Sequence, residues 1–121
     1  MITITASSRY KINRHQIRTE ISPLLITNGI NGQDVLNIVF VGKNKMRKLT
    51  QKYKHENETL PVLSFPYHGE RIDDEVVIGE VVVCYPLTIL LAAERNKPVD
   101  KVITDLLKHG VNNLLKVNVL S

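Results

Sequence analysis

Residues 76–84 of this chain have the sequence Val-Val-Ile-Gly-Glu-Val-Val-Val-Cys, in which every residue except Gly79 and Glu80 is apolar. A short apolar run rich in β-branched residues is typical of a buried strand. A glycine inside such a run indicates a bulge or the close approach of another part of the chain. We therefore expect this segment to be paired within a sheet, with Gly79 at a point of close packing.

Three other segments favour strands. Residues 1–7 alternate Ile with Thr, Val35–Val41 is a second apolar run, and residues 60–65 form a third that ends at Pro66. The polar residues 67–75 are predicted to form a loop. The sequence thus predicts a mixed sheet of about four strands.

The segments between these strands have helical spacing. Asn13 followed by Gln16 indicates one helix start, and Pro23 is expected to interrupt that helix. Ser22-Pro23 would then begin a new helix that stops at Asn28-Gly29. These signals predict two short helices before the second strand.

Three further helices are predicted downstream. Lys43–Lys54 has a helical period, Pro86 begins a helix that runs to about Asn96, and Pro98 opens the last helix. The apolar positions of this last helix keep helical spacing, namely Val99, Ile103, Leu106, Leu107, Val111 and Leu114. The expected fold class is α/β of the α+β type, in a single domain covering residues 1–121.

Charge and composition limit the classes of function. Sixteen Lys and Arg against twelve Asp and Glu give a net charge of +4, which favours a polyanionic partner. No apolar run approaches the length of a membrane span, and the N-terminus lacks the pattern of a signal peptide. Cys84 is the only cysteine, expected to be a small apolar filler, and a chain without a disulfide suits the cytoplasm. We expect a cytoplasmic protein without a membrane partner.

Three sequence blocks, taken together, are specific. They are Val-Leu-Ser-Phe-Pro at 62–66, Ile-Gly-Glu-Val-Val-Val-Cys at 78–84, and His109-Gly110 in the last helix. In this order they resemble the YbeY family of rRNA maturation factors, over roughly residues 30–115. The resemblance implies a metal-hydrolase-like fold and a zinc-dependent endoribonuclease that cuts single-stranded RNA in rRNA processing and ribosome quality control. It also implies single-stranded or ribosomal RNA as a partner, and ribosomal proteins as further partners.

The family's zinc signature is only partly present. It is His-Gly-x-Leu-His followed six residues later by a third His, and two histidines one helical turn apart can converge on a tetrahedral ion. His109 matches the first ligand, but Asn113 occupies the second position and Val119 the third. An amide is a poor zinc ligand and valine is none. We therefore expect zinc to be weakly bound or absent, with His68 a minor candidate for a substitute ligand.

Two catalytic candidates come from the same resemblance. Lys54 stands where the family has an arginine thought to contact RNA or assist catalysis, and Ser64 lies in the Ser-Phe-Pro block. A hydroxyl that hydrogen-bonds the backbone or a phosphate is the main interpretation of Ser64, because no base is evident beside it. His109 and Asn113 are either a pair facing a cleft or two ordinary half-exposed helical residues.

A run of cations without an acid is the candidate RNA-binding strip. It consists of Lys43, Lys45, Arg47, Lys48, Lys52 and Lys54. The strip is either a phosphate-binding surface next to the cleft or a solvated helix face. Tyr53, within it, is interpreted as a core residue in preference to a base-stacking platform.

Two functions follow from these observations. The first is an rRNA maturation factor with the endoribonuclease activity of the family. The alternative is a catalytically silent RNA- or ribosome-binding module of the same fold.

Overall fold

The computed structural model describes residues 1–30, 32–72 and 75–120, with the side chains of all of these except 68–72, 75 and 117–120. Four strands and four helices follow one another as β1 Ile2–Thr5, α1 Arg14–Thr27, β2 Val35–Val41, α2 Lys43–Lys54, β3 Val62–Ile72, β4 Glu75–Cys84, α3 Tyr85–Arg95 and α4 Val99–Leu120. None of the helices in these described ranges is both long and apolar enough to cross a membrane. The fold class predicted from the sequence is confirmed.

The four strands form one mixed sheet in the order β1-β2-β4-β3. β2 is parallel to both β1 and β4, whereas β3 runs antiparallel to β4. The apolar runs of β2 and β4 therefore lie at the centre of the sheet, paired on both sides. This position explains why their sequences are apolar with little alternation, because helices cover both faces there.

The two faces of the sheet carry different helices. Helices α1 and α4 cover one face, where the largest cluster of buried side chains lies. Ile103, Leu107 and Leu114 of α4 are buried in that cluster, as predicted from the helical spacing. On the opposite face, α2 inserts Met46 into a smaller cluster with Cys84, and burial raises the pKa of the Cys84 thiol. The interpretation of Cys84 as an apolar filler is confirmed.

Helix α4 lies very close to the sheet at two glycines. A Cβ on Gly79 would overlap Leu114 Cδ1 and lie 2.8 Å from the carbonyl oxygen of Phe65. A Cβ on Gly110 would lie 2.8 Å from Val81 Cγ1, which is shorter than real Cβ contacts allow. The close approach predicted at Gly79 is confirmed, and it brings the second half of α4 against β3 and β4.

An ion pair joins α1 to α4 at the surface. Lys108 Nζ lies 2.6 Å from Glu20 Oε2. The hydrogen bond from Lys108 holds the pKa of the Glu20 carboxyl below its ordinary value, and the same bond raises the pKa of Lys108. Glu20 is exposed and Lys108 is half-buried, so solvent and salt screen much of the attraction.

The predicted break in the first helix is wrong. Asn13 caps α1 as expected, since its side chain accepts a hydrogen bond from Gln16 N at 3.0 Å. However, Pro23 lies inside one continuous helix. Pro23 is on the solvent side, so the carbonyl that loses its helical partner faces water, while one apolar stripe remains buried along the whole helix, namely Ile17, Ile21 and Leu25.

The predicted loop at residues 67–75 is wrong for residues 67–72 and 75, while residues 73 and 74 lie outside the described part of the chain. β3 continues to Ile72 and β4 begins at Glu75, with Glu70 paired to Val77 and Arg71 to Val76. Strand pairing uses main-chain hydrogen bonds, which polar residues provide as well as apolar ones. β3 is an edge strand, where polar residues and a proline such as Pro66 are tolerated.

Candidate functional site

A cleft of about 300 Å³ lies between the C-terminal half of α4 and strand β3. It contains four residues that the sequence singled out: Lys54, Ser64, His109 and Asn113. Its remaining lining residues are Val62, Leu63, Pro66 and Lys116. Residues far apart in the sequence are therefore brought together around one cleft.

Ser64 fixes the position of α4 on the strand. Side chains of β3 alternate between the two faces of the sheet, and both Val62 and Ser64 face α4 at Gly110. Ser64 Oγ donates a hydrogen bond of 2.7 Å to the carbonyl oxygen of Gly110. This bond matches the interpretation of Ser64 as a hydroxyl that bonds the backbone, whereas its catalytic role stays a prediction.

His109 and Asn113 lie one helical turn apart on the exposed side of α4. Asn113 Nδ2 is 3.3 Å from His109 Nε2. The two side chains are therefore within hydrogen-bonding distance of each other. The two side chains thus form a polar pair on the wall of the cleft, and their role in binding stays a prediction.

The donor set of this pair does not fit a zinc ion. His109 offers one ring nitrogen, which Asn113 already contacts, and no group of three or more His, Cys, Asp or Glu side chains converges within the described part of the chain. Val119 and His68 lie outside the described side chains. Residues 110–121 contain no His, Cys, Asp or Glu. A structural zinc site has about four protein ligands, and a catalytic site has about three together with a water molecule.

A larger cleft of about 510 Å³ adjoins the first, and the two share Lys54, Val62, His109 and Asn113. Together they form one groove beside α4, which we call the α4 groove. Arg95 and Asp105 line its second part. Asp105 is engaged by Lys101 at 3.1 Å and Lys97 at 4.0 Å.

Two cations of the groove, Arg95 and Lys116, were missed by the sequence reasoning. Lys116 is seven residues after His109, so helical spacing alone places it on the same side of α4. Arg95 ends α3, and its place in the groove depends on how α3 packs against α4. With Lys54, these residues give the groove three cations, which favours a polyanionic ligand.

The six cations of the strip do not all face the α4 groove. Each is exposed, and none forms an ion pair among the side chains that the structure describes. Lys54 lines the α4 groove, whereas Lys45 lines a different cleft on the opposite face of the sheet. Phosphate binding by the strip stays a prediction.

Tyr53 corrects one interpretation. Its side chain is 50% exposed, so it is not a core residue. The ring contacts Phe65 edge-on, with 5.0 Å between the ring centroids. Helical spacing with Met46 and Leu49 indicated burial. However, those two residues pack in the apolar cluster under α2, whereas Tyr53 lies outside that cluster.

Comparison with known proteins agrees with this arrangement. Residues 3–115 match the family described as Endoribonuclease YbeY. A relative of that name in Thermodesulfovibrio yellowstonii is 30% identical over 81 residues, covering 67% of this chain and 51% of the relative. One in Burkholderia cenocepacia is 32% identical over 108 residues, covering 88% of this chain and 59% of the relative. The chain spans between about half and three fifths of the length of these curated relatives.

A solved structure has the same fold. The solution structure of TM1509 from Thermotoga maritima superposes with a TM-score of 0.61 at 20% identity, covering 95% of this chain and 72% of that one. At this identity the likeness supports the fold alone. The match over residues 3–115 and the curated relatives agree with the ordered sequence blocks and the cleft that those blocks line. We conclude that the chain belongs to the YbeY endoribonuclease family.

Proposed function

We propose that this chain is an rRNA maturation factor that binds single-stranded RNA along the α4 groove. The observation that carries the proposal is the convergence of Lys54, Arg95 and Lys116 on one groove beside His109. Because the chain belongs to an endoribonuclease family, we expect the polyanion that binds there to be RNA. The proposal includes a single domain over residues 1–121, ribosomal RNA and ribosomal proteins as partners, and a cytoplasmic location, where the unpaired thiol of Cys84 stays reduced.

The three cations are suited to an RNA backbone. Lysine and arginine bind phosphates through charge-assisted hydrogen bonds, and Arg95 can do so with two parallel bonds. The groove is open and its polar pair, His109 and Asn113, offers hydrogen-bonding groups beside the phosphate track. A flexible single strand can follow such a groove and place its phosphates beside the three cations.

A second candidate is a catalytically silent RNA- or ribosome-binding module of the same fold. Asn113 at the second ligand position favours it, because the donor set beside His109 does not suit zinc. Both candidates bind RNA in the same groove. They differ in whether the bound RNA is cut.

Salt dependence of RNA binding tests the groove. The affinity for a fluorescein-labelled single-stranded RNA is measured by anisotropy over a series of salt concentrations, for the parent and for the variant Arg95→Ala with Lys116→Ala. Each lost phosphate contact lowers the slope of log K against log salt by about 0.7, so the double variant should flatten it by about one to two units.

The control has the same charge change outside the groove. Arg9→Ala with Lys11→Ala removes two exposed cations near β1, at the other edge of the sheet from β3. The control should weaken binding slightly and leave the slope within about half a unit of the parent. Equal slopes for the two double variants would remove the α4 groove as the RNA site.

Cleavage and metal content separate the two candidates. The protein is purified without chelator, its zinc is measured by elemental analysis, and the labelled RNA is followed on a denaturing gel with and without added zinc. Stoichiometric zinc together with cleavage would eliminate the silent module. RNA binding without either would eliminate the endoribonuclease.

A further inference from the structure

A separate cleft lies on the opposite face of the sheet from the α4 groove. Its volume is about 250 Å³, and we call it the α2 cleft. Helix α2 contributes one wall and strands β2, β3 and β4 the floor, with the lining residues Val39, Val41, Lys45, Leu49, Tyr53, Phe65, Tyr67, Glu80 and Val82. Pockets for drug-sized ligands are roughly 300–1,000 Å³, so this cleft suits one planar ring system.

An exposed aromatic ring forms one wall of the α2 cleft. Tyr53 is 50% exposed, and its edge-on contact with Phe65 holds the ring in place. Lys52 Nζ lies 5.2 Å from the centroid of the same ring. An exposed aromatic ring with cations around it is the type of surface on which single-stranded nucleic acids stack their bases.

Glu80 places a carboxylate in the floor of this otherwise largely apolar cleft. It is half-buried in β4, and Tyr67 Oη, at 3.4 Å from Oε2, is its hydrogen-bond donor. Among the side chains that the structure describes, none of the cations lies within ion-pair distance of Glu80. An ionised carboxylate accepts about four hydrogen bonds, so most of its accepting capacity is available to a ligand.

The chemistry of Glu80 selects among the RNA bases. The Watson–Crick edge of guanine carries two adjacent donors, N1–H and the exocyclic amine, which match the two oxygens of a carboxylate. Adenine and cytosine place a ring-nitrogen acceptor beside their amine, and uracil flanks its one donor with two carbonyl oxygens. Each of these three bases therefore sets a lone pair against the carboxylate, which is repulsive.

We infer that the α2 cleft binds one guanine base of a single-stranded RNA. Glu80 accepts from the two donors of the base, the ring stacks on Tyr53, and Lys45 contacts the adjacent phosphate. The inference rests on the proposed RNA-binding function and adds a base preference to it. Because Lys54 lines the α4 groove and Lys45 the α2 cleft, exposed cations of α2 connect the two sites along one helix.

The test compares three labelled hexanucleotides by anisotropy: one of uridine only, one with guanosine at the third position and one with adenosine there. Guanosine should tighten binding about 5- to 100-fold over the uridine chain, the range expected for a bidentate base contact. Glu80→Gln should abolish most of this preference. Glu94→Gln, an equal charge change at an exposed position of α3, should leave it intact.

A second pair of variants tests the stacking. Tyr53→Phe keeps the ring and should retain the guanosine preference. Tyr53→Leu keeps an apolar side chain without the ring, and should weaken binding of the guanosine chain about 5- to 100-fold. Equal affinity for the guanosine and adenosine chains, or a preference that survives Glu80→Gln, would overturn the inference.

Failure of the α2 cleft can be distinguished from failure of the proposed function. If the uridine chain binds and guanosine adds nothing, the protein binds RNA but the cleft does not select guanine. If no hexanucleotide binds, the proposed RNA-binding function fails. Binding of guanosine monophosphate then tests the α2 cleft by itself. Shifts of the Val39 and Val82 amide signals with this nucleotide, absent with adenosine monophosphate and in Glu80→Gln, would support the cleft, and their absence would overturn it.

Discussion

Gly110→Ala tests whether the close approach of α4 to the sheet sets the geometry of the α4 groove. The added methyl group would lie 2.8 Å from Val81 Cγ1, 3.1 Å from Ser64 Oγ and 3.2 Å from Val62 Cγ2. Val81 is fully buried and cannot move away without displacing its own neighbours. Helix α4 must therefore shift outward, which also lengthens the 2.7 Å hydrogen bond from Ser64 Oγ to the Gly110 carbonyl.

The expected loss of stability is about 2 kcal/mol. Overpacking a well-filled core costs about 1–3 kcal/mol, and weakening one hydrogen bond adds about 1 kcal/mol. Alanine has a higher helix propensity than glycine, which offsets about 1 kcal/mol. The free energy of unfolding is measured by urea denaturation with circular dichroism, and the melting temperature should fall by about 8 °C.

Two comparisons make the result specific. Gly32→Ala adds a methyl group with no atom within 4 Å, so its stability should stay within about 0.5 kcal/mol of the parent. Ser64→Ala alone should cost about 1 kcal/mol, and combined with Gly110→Ala the two losses should be less than additive, because both act on one contact. A Gly110→Ala protein stabilised by about 1 kcal/mol, with additive effects in the double variant, would refute the reasoning.

The remaining predictions concern the surface of α4. The lowered pKa of Glu20 means that its pair with Lys108 stabilises the fold above the ordinary pKa of glutamate, and that this stability is lost as the pH falls through the lowered value. Glu20→Gln should therefore lower the melting temperature at neutral pH and leave it less sensitive to acid, whereas an unchanged acid slope would mean that the pair does not stabilise the fold. Asn113→His should tighten zinc binding about tenfold by competition with a colorimetric chelator, since it adds a second imidazole one turn from His109. The control Asn44→His adds the same group at an exposed position of α2, on the opposite face of the sheet, and should bind no more tightly than the parent. Equal gains in both variants would show that position 113 does not converge with His109.

The sequence by itself determined the features that depend on local periodicity. The apolar run at 76–84 predicted a strand within the sheet, and helical spacing predicted that Ile103 and Leu107 are buried. His109 and Asn113 are on one side of α4 because residues four apart on a helix are neighbours. Each of these conclusions needs only the repeat of a single element.

The tertiary structure decided the features that depend on contacts between elements. Residues 70–72 are a strand because β4 is there to pair with them, and Pro23 stays within α1 because the sheet holds the apolar stripe of that helix in place. Arg95 reaches the α4 groove, and Glu80 lies in the α2 cleft with Tyr53, only through the packing of separate helices and strands. A periodicity specifies which side of its own element a residue occupies, whereas the neighbour on that side is set by long-range packing, which no local pattern contains.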